Sequence, residues 1–332
     1  MKINAALVAI TMACFLVPTN GQDKDALTLV QTIVLPDVQG GLNHMSVDAE
    51  HRRLFAPAPS DGKLEIVDLT SGKPWRSLNS ERPAAARFAA EFNQLYVSSG
   101  RHLYIYDGDN FGLIANLDLG SRLDQIAYDA SAKELYVGCM TTGETAIAVI
   151  AIPERKLLRR ISLPSSPQGI AVDLQTGRLF ANLPDDSQVA VASRDGNKIQ
   201  ARWHLKGASD NFPITFDEAD RHLFLACRTP PQLQVLDTRF GNTIAHVPCA
   251  GEADDMWYDG ARQRVYVSGS DGVISVIEHE ASGRLRVLGS VATAPGAATS
   301  VLSTQLDSLY VAVPRDGNKP AKILVFKPVG RP

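Results

Sequence analysis

The chain has 332 residues, of which 45% are hydrophobic and 21% are charged, and its formal net charge is −3. This balance excludes an intrinsically disordered chain, and 25 glycines with 19 prolines exclude a collagen-like or Pro/Gly-rich low-complexity chain. No run of five or more Lys or Arg residues occurs, so the basic stripe of a duplex-binding protein is absent and a nucleic-acid partner is not expected.

The N-terminus has the pattern of an export signal. Lys2 precedes an apolar stretch at 5–17, which is too short to cross a bilayer. We predict that residues 1–21 are a signal peptide cleaved near Gly21–Gln22, and that 22–332 form a single domain in the periplasm or outside the cell. An uncleaved anchor is the alternative, and no other segment is long and apolar enough to be transmembrane. Cleavage removes Lys2 and changes the net charge to −4.

One pattern recurs seven times along the rest of the chain. It consists of an apolar strand that usually ends in Asp, a short polar turn, Leu or Val, an aromatic residue, and a small or β-branched residue. The aromatic residues, which follow one another at intervals of 40 to 44 residues, are Phe55, Tyr96, Tyr136, Phe180, Phe224, Tyr266 and Tyr310. A fixed period of this length is the signature of a repeat architecture.

Each repeat carries further strands. Alternating or β-branched segments predict third strands at 64–68, 103–107, 147–151, 189–193, 233–237, 274–278 and 323–327. Similar segments predict fourth strands at 113–119, 157–163, 199–205, 243–249 and 285–291. No long segment has a helical apolar period, and four strands in about 40 residues are typical of a propeller blade. The sequence therefore predicts an all-β, seven-bladed β-propeller with four-stranded blades.

The two ends of the repeat region complement each other. The seventh copy stops after its third strand at 323–327, and a segment with the fourth-strand pattern precedes the first copy at 27–36. We predict that this N-terminal strand joins the last blade and closes the ring, which removes an exposed sheet edge. The alternative is an open solenoid, which would need polar capping repeats.

The segment PQGIAVDLQTGRLFAN at 167–182, followed by a VxV strand, resembles the YVTN-repeat, YncE-like family of bacterial propellers. The resemblance covers nearly all of the mature chain, and NFPITFD at 211–217 and GEADDMWYD at 251–259 resemble an exported branch of that family. The literal YVTN string is replaced by YVSS at 96–99 and YVSG at 266–269. The family implies a seven-bladed propeller but not one chemistry, because this fold hosts both binding proteins and enzymes.

Polar residues recur four or five positions before the residue that closes each first strand. In a propeller these positions lie on the top face, where the loops between fourth and first strands enter the central channel. A ring of buried polar groups must be paired with itself, water or a ligand. We therefore predict a binding site at the top mouth of the channel, with a water-filled channel as the alternative. The candidate ligand-binding residues are Asn43, His44, Arg87, Asp124, Gln168, Asn211, Arg228, Asp254 and Asp255.

Several carboxylates around a narrow channel repel one another unless a cation neutralises them. A divalent cation could do so with ligands from His44, Asp124, Asp254 and Asp255. Arg87 or Arg228 could do so instead.

No nucleophile, metalloprotease or phosphate-loop motif stands in a supporting context, so we assign no catalytic residues. We predict a monomeric, exported propeller that binds a small molecule or an envelope protein through the channel mouth. The alternative is a metal-assisted, lactonase-like hydrolase with its active site at the same mouth.

Two further expectations concern cysteines and histidines. Cys227 and Cys249 belong to one blade with a strand between them, so their backbones are about 9–10 Å apart. That separation favours free thiols, although export favours a bridge. We also expect His51, His102 and His222 to be solvated, and the aspartates that close the first strands to cap turns.

Overall fold

The computed structural model describes residues 26–141 and 143–330, so the predicted signal peptide lies outside the described residues. Within these ranges the strands form seven four-stranded antiparallel sheets. The same ranges contain no helix with the length and apolar character that a membrane crossing requires.

The strands follow one another with only short 3₁₀ turns, at Pro59–Asp61, Ala90–Phe92 and Pro184–Asp186, as additional elements. In chain order they are β1 Leu27–Leu35, β2 Ser46–Asp48, β3 Arg53–Ala58, β4 Lys63–Asp68, β5 Lys73–Asn79, β6 Pro83–Ala89, β7 Gln94–Ser99, β8 His102–Asp107, β9 Leu113–Asp118, β10 Leu123–Asp129, β11 Glu134–Cys139, β12 Ala146–Ala151, β13 Lys156–Ser162, β14 Ile170–Asp173, β15 Arg178–Leu183, β16 Gln188–Ser193, β17 Ile199–His204, β18 Ser209–Asp217, β19 His222–Thr229, β20 Pro231–Asp237, β21 Thr243–Pro248, β22 Ala253–Asp259, β23 Arg264–Gly269, β24 Val273–His279, β25 Leu285–Ala292, β26 Ser300–Ser303, β27 Ser308–Val313 and β28 Ala321–Pro328.

Each of the first six blades uses four consecutive strands, beginning with β2–β5 as blade 1 and ending with β22–β25 as blade 6. Blade 7 has the order β26, β27, β28 and β1 from its inner to its outer edge. In that blade β1 pairs antiparallel with β28, which places Leu27 opposite Pro328 and Leu35 opposite Ala321. The prediction of an all-β, seven-bladed propeller is confirmed.

The core lies between the blades. The seven repeat aromatics all lie on second strands, and each is at most 3% exposed. The apolar clusters join adjacent blades: in one of them Phe180 and Val191 of blade 4 pack with Leu223 and Leu225 of blade 5. Each sheet thus buries its apolar faces against its neighbours, which a single four-stranded sheet could not do.

The turns between first and second strands are capped as predicted. Asp129, Asp173 and Asp259 each accept a hydrogen bond from the backbone N–H three residues later. Asp217 accepts one from Ala219 at 2.9 Å. These carboxylates satisfy turn donors that have no strand partner.

The fourth strand of blade 1, β5, was not among the predicted strands. Its buried residue is Leu78, and the other positions of Lys73–Asn79 are exposed. An outer strand that faces water on both sides lacks the apolar alternation on which strand prediction depends. The three cysteines of the described residues are free thiols, with Cys139 and Cys227 buried and Cys249 half-buried.

Candidate functional site

The first strands of four blades have irregular registers near the top face. The shifts lie between Pro83 and Ala85, between Leu123 and Ile126, between Asn211 and Ile214, and between Ala253 and Asp255. A bulge leaves residues without a cross-strand partner and redirects their side chains. Asp124, Gln125 and Asp254 lie within such shifts. Arg87 and Asp255, by contrast, are regularly paired with Tyr96 and Ser268.

Four of these inner side chains meet in the channel, and we call His44, Arg87, Gln125 and Asp255 the channel cluster. The Nδ1 atom of His44 donates to Oδ1 of Asp255 at 3.0 Å, and the side-chain amide of Gln125 lies 3.4 Å from the same nitrogen. The other carboxylate oxygen of Asp255 accepts the backbone N–H of Ser300 at 3.0 Å. The four residues line one small cavity of about 50 Å³. Residues from blades 1, 2, 3 and 6 are therefore brought together.

The carboxylates around His44 determine its charge. Burial lowers the pKa of His44, but the charge and hydrogen bond of Asp255, together with the charges of Asp254 and Asp124, outweigh burial and raise the pKa to about 10. The imidazole is therefore protonated at neutral pH. Burial in turn raises the pKa of Asp124 and of Asp254, and attraction to His44 partly offsets this. The protonated histidine is thus one of the cations that neutralise the carboxylates of the channel.

Arg87 supplies a second cation. It lies on β6, where its Nη2 donates to the carbonyl of Ile126 at 3.2 Å. Burial lowers the pKa of Arg87, and the charges of Asp255 and Tyr128 oppose that shift. Arg87 also lines a second cavity of about 320 Å³ that Gln125, Asp255 and Trp257 share. Three members of the channel cluster, Arg87, Gln125 and Asp255, therefore line this lower part of the channel.

A larger cavity of about 600 Å³ opens on the top face of blades 1, 2 and 3, and we call it the upper cavity. It contains two predicted residues, Asn43 and Asp124, and four that were not predicted, Arg82, Arg101, His102 and Arg122. The remaining lining residues are Pro59, Glu81, Pro83, Ala84, Gly100, Gly120, Ser121, Leu123 and Thr141. The sequence could have indicated the three arginines, because the repeat register assigns their loops to the top face.

Arg228 and Asp254 pair with each other near the rim. Arg228 donates to Oδ1 of Asp254 at 3.2 Å and to the carbonyl of Ala253 at 3.0 Å, and its guanidinium stacks 3.3 Å from the ring centroid of Phe212. Gln168 is half-buried and lines neither the channel cluster's cavity nor the upper cavity. The predicted residues are therefore divided between the channel cluster, the upper cavity and the Arg228–Asp254 pair, with Gln168 outside all three.

The prediction for Asn211 is wrong. Its side chain is fully buried, and its amide donates to Oδ1 of Asn182 at 2.7 Å and to the carbonyl of Gln188 at 2.9 Å. Asn211 therefore ties blade 5 to blade 4 and is closed to a ligand. Asn211 is paired with Cys227, and the register of β18 becomes irregular only after it.

The four candidate metal ligands do not form a compact set. Among the described residues, no three of His44, Asp124, Asp254 and Asp255 bring their ligand atoms within 4.8 Å of one another. The predicted cation at the mouth, and the hydrolase that would use it, gain no support from this arrangement and stay predictions.

The sequence matches no protein-family model and no curated protein. Among solved structures, a chain of Kuenenia stuttgartiensis hydrazine synthase is similar with a TM-score of 0.75 and 14% identity, over 87% of this chain and 97% of that chain. A chain of the mitotic checkpoint complex is similar with a TM-score of 0.72 and 12% identity, over 98% of both chains. At these identities the likeness establishes the propeller fold alone.

Proposed function

We propose that this protein is an exported binding module that takes a small anionic molecule into the upper cavity. The observation that carries the proposal is the cavity itself. Its volume of about 600 Å³ lies in the range of small-molecule pockets, and top-face loops of three adjacent blades form it. Loops on a rigid scaffold are where binding residues concentrate.

The three arginines that line the cavity, beside the carboxyl groups of Glu81 and Asp124, support an anionic ligand. Within the described residues, no carboxylate oxygen lies within 4.0 Å of the guanidinium nitrogens of Arg82 or Arg122. Arg101, by contrast, is already paired with Asp118 at 2.7 Å. Guanidinium groups bind carboxylates and phosphates through two parallel hydrogen bonds. Arg82 and Arg122 are exposed and have no carboxylate partner among the described residues, and Nη2 of Arg122 contacts the sulfur of Met140 at 3.5 Å. The two guanidinium groups therefore favour a ligand with a carboxylate or a phosphate.

The same cavity also offers groups that suit a hydrogen-bond donor. Asp124 and Asn43 line it, and the backbone carbonyl of Asp124 accepts the hydroxyl of Ser98 at 2.7 Å. That hydrogen bond fixes the backbone of Asp124, which lowers the ordering cost at binding. A hydroxy acid or an amino acid derivative has both groups.

The proposal of export rests on the N-terminal pattern and on the resemblance to an exported family.

A small molecule is the partner we favour, because the cavity is concave. An envelope protein would instead have to cover the rim around it. A nucleic-acid partner is not proposed, because the mature net charge is negative.

Native mass spectrometry of the protein, purified without denaturation from its source, tests the proposal. We expect a co-purifying small molecule, and thermal stabilisation by members of a panel of carboxylates and phosphates. The double variant Arg82→Gln/Arg122→Gln should bind at least about tenfold more weakly, because both anion contacts are lost.

Arg202→Gln is the matched control, since Arg202 is exposed on the outer strand β17. Equal affinity of the double variant and the wild type would contradict the proposed site. Rapid hydrolysis of lactones by the purified protein would favour the enzyme instead.

A further inference from the structure

A second polar cluster lies at the bottom of the molecule, where blades 5 and 6 meet. Asp220, His222 and His279 each offer a ligand atom, and these three atoms lie within 4.8 Å of one another. Nδ1 of His222 and Nε2 of His279 are 3.0 Å apart, and the two rings are nearly perpendicular at 84°. Two imidazole nitrogens bound to one metal ion at about 2.0–2.1 Å, in tetrahedral geometry, lie about 3.3–3.4 Å apart. The observed 3.0 Å, a hydrogen-bond distance between the two rings, comes close to this spacing, so a small side-chain shift would admit the ion.

The cluster has one rigid side and one open side. His279 is fully buried at the end of β24, and its ring meets the ring of Phe224 edge-on at 4.8 Å. Asp220 and His222 are half-buried in the turn before β19 and at its start. An ion could therefore enter from solvent and keep water in its remaining positions.

A carboxylate stands behind His279. The second ring nitrogen, Nδ1, has no hydrogen bond and lies 3.7 Å from Oδ2 of Asp217, which also has none. Buried polar atoms without partners need an explanation. Metal-bound imidazoles commonly present their other N–H to a carboxylate. A metal on Nε2 would leave the proton on Nδ1, facing Asp217.

The junction between blades 3 and 4 has a different side chain at the position that corresponds to His279. His279 has the same strand position as Arg194, because the residues before them, Glu278 and Ser193, pair with the first residues of the second strands in their blades. Arg194 donates to the turn aspartate Asp129 at 2.9 Å. Where blades 3 and 4 meet, a protein cation neutralises the turn aspartate, but where blades 5 and 6 meet, histidines take that place.

From this geometry we infer a divalent metal site formed by Asp220, His222 and His279, with Asp217 as the carboxylate behind His279. Two imidazoles and one carboxylate suit a borderline ion such as Zn²⁺ rather than Ca²⁺ or Mg²⁺, which prefer all-oxygen ligands. The site lies on the face opposite the upper cavity and is independent of the proposed function.

The test uses the full protein, stripped with a chelator and titrated with Zn²⁺ against a chromophoric competitor. We expect one zinc ion per chain. His222→Gln should weaken binding by at least about a hundredfold, and Asp217→Asn by about ten- to a hundredfold. In Cu²⁺-loaded protein, electron paramagnetic resonance should show coupling to two imidazole nitrogens, reduced to one in His222→Gln.

His204→Gln is the matched control, because His204 is an exposed histidine on β17, and it should leave zinc binding unchanged. Circular dichroism confirms that each variant is folded. The proposal is overturned if the wild type binds no zinc at about 10 µM. It is equally overturned if His222→Gln binds as well as the wild type, or if His204→Gln loses as much affinity as His222→Gln.

Discussion

His44 in the channel is largely buried and His279 at the bottom of the molecule is fully buried, yet their pKa values are shifted in opposite directions. Burial lowers the pKa of His44, but Asp255 and two further carboxylates raise it to about 10. Burial also lowers the pKa of His279, and His222 lowers it further, while Asp217 opposes this only in part. Burial sets a penalty on charge in both places, and the neighbouring side chains decide whether that penalty is overcome.

This difference in pKa suggests different roles for the channel cluster and for the cluster of Asp220, His222 and His279, which we call the bottom cluster. The channel cluster contains its own cations, His44 and Arg87, against the charge of Asp255. The charge of Asp255 is therefore met by side chains of the protein itself, and the proposed function places the ligand in the upper cavity instead. The bottom cluster places two imidazoles beside the carboxyl groups of Asp217 and Asp220, with no Arg or Lys in a salt bridge to either among the described residues.

The largest expected effect comes from removing the partner of His44. Asp255→Ala leaves a protonated imidazole with its closest carboxylate gone and removes the acceptor of the Ser300 N–H. Breaking a buried ion pair from one side destabilises by about 3–5 kcal/mol. Urea unfolding at pH 7 measures the change in the free energy of unfolding.

Asp195→Ala, at an exposed position, is the control and should change stability by less than about 0.5 kcal/mol. If Asp255→Ala were as stable as the control, the channel cluster would not hold its blades together and the contrast with the bottom cluster would fail.

The second prediction uses pH to sharpen the contrast. The folded-state pKa of His44 is raised from 6.5 to about 10. Its stabilising contribution is therefore complete below pH 6.5 and is lost as the pH rises from 6.5 through 10. Within that window the free energy of unfolding should fall by up to about 1.4 kcal/mol per pH unit through this group.

Comparing the wild type with His44→Gln isolates the contribution of His44 to the free energy of unfolding, because all other groups titrate in both proteins. The difference in unfolding free energy should shrink steadily from pH 6.5 to 10. Parallel curves over that range would mean that His44 is neutral in the fold.

The repeat made the fold predictable to the level of single strands. A regularly spaced aromatic on each second strand must be buried between blades, so its position reports the sheet directly. Strand β5 escaped prediction for the converse reason, since its residues other than Leu78 are exposed. A strand with a buried face has an apolar pattern in the sequence, whereas an exposed outer strand has none.

The site was less predictable, because the repeat register does not decide which side chains of neighbouring blades meet. His44, Arg87 and Asp255 do meet in the channel, but Asn211 turns into the wall between blades. The partnership of His222 with His279 joins residues 57 positions apart on different blades. His222 had been expected to be solvated, and only the packing of neighbouring blades shows the pair.

The smallest predicted effect compares two turn aspartates directly. Asp129 accepts hydrogen bonds from Ser131, Ala132 and Arg194, whereas Asp217 faces His279 at 3.7 Å. Asp129→Asn should therefore lower the free energy of unfolding by about 1–2 kcal/mol, because a charge-assisted bond is lost. In chelator-stripped protein Asp217→Asn should change it by less than about 0.5 kcal/mol, since an amide oxygen can still cap the turn. Urea unfolding of both variants measures the difference, and equal losses would mean that neutral histidine and arginine stabilise these turns alike.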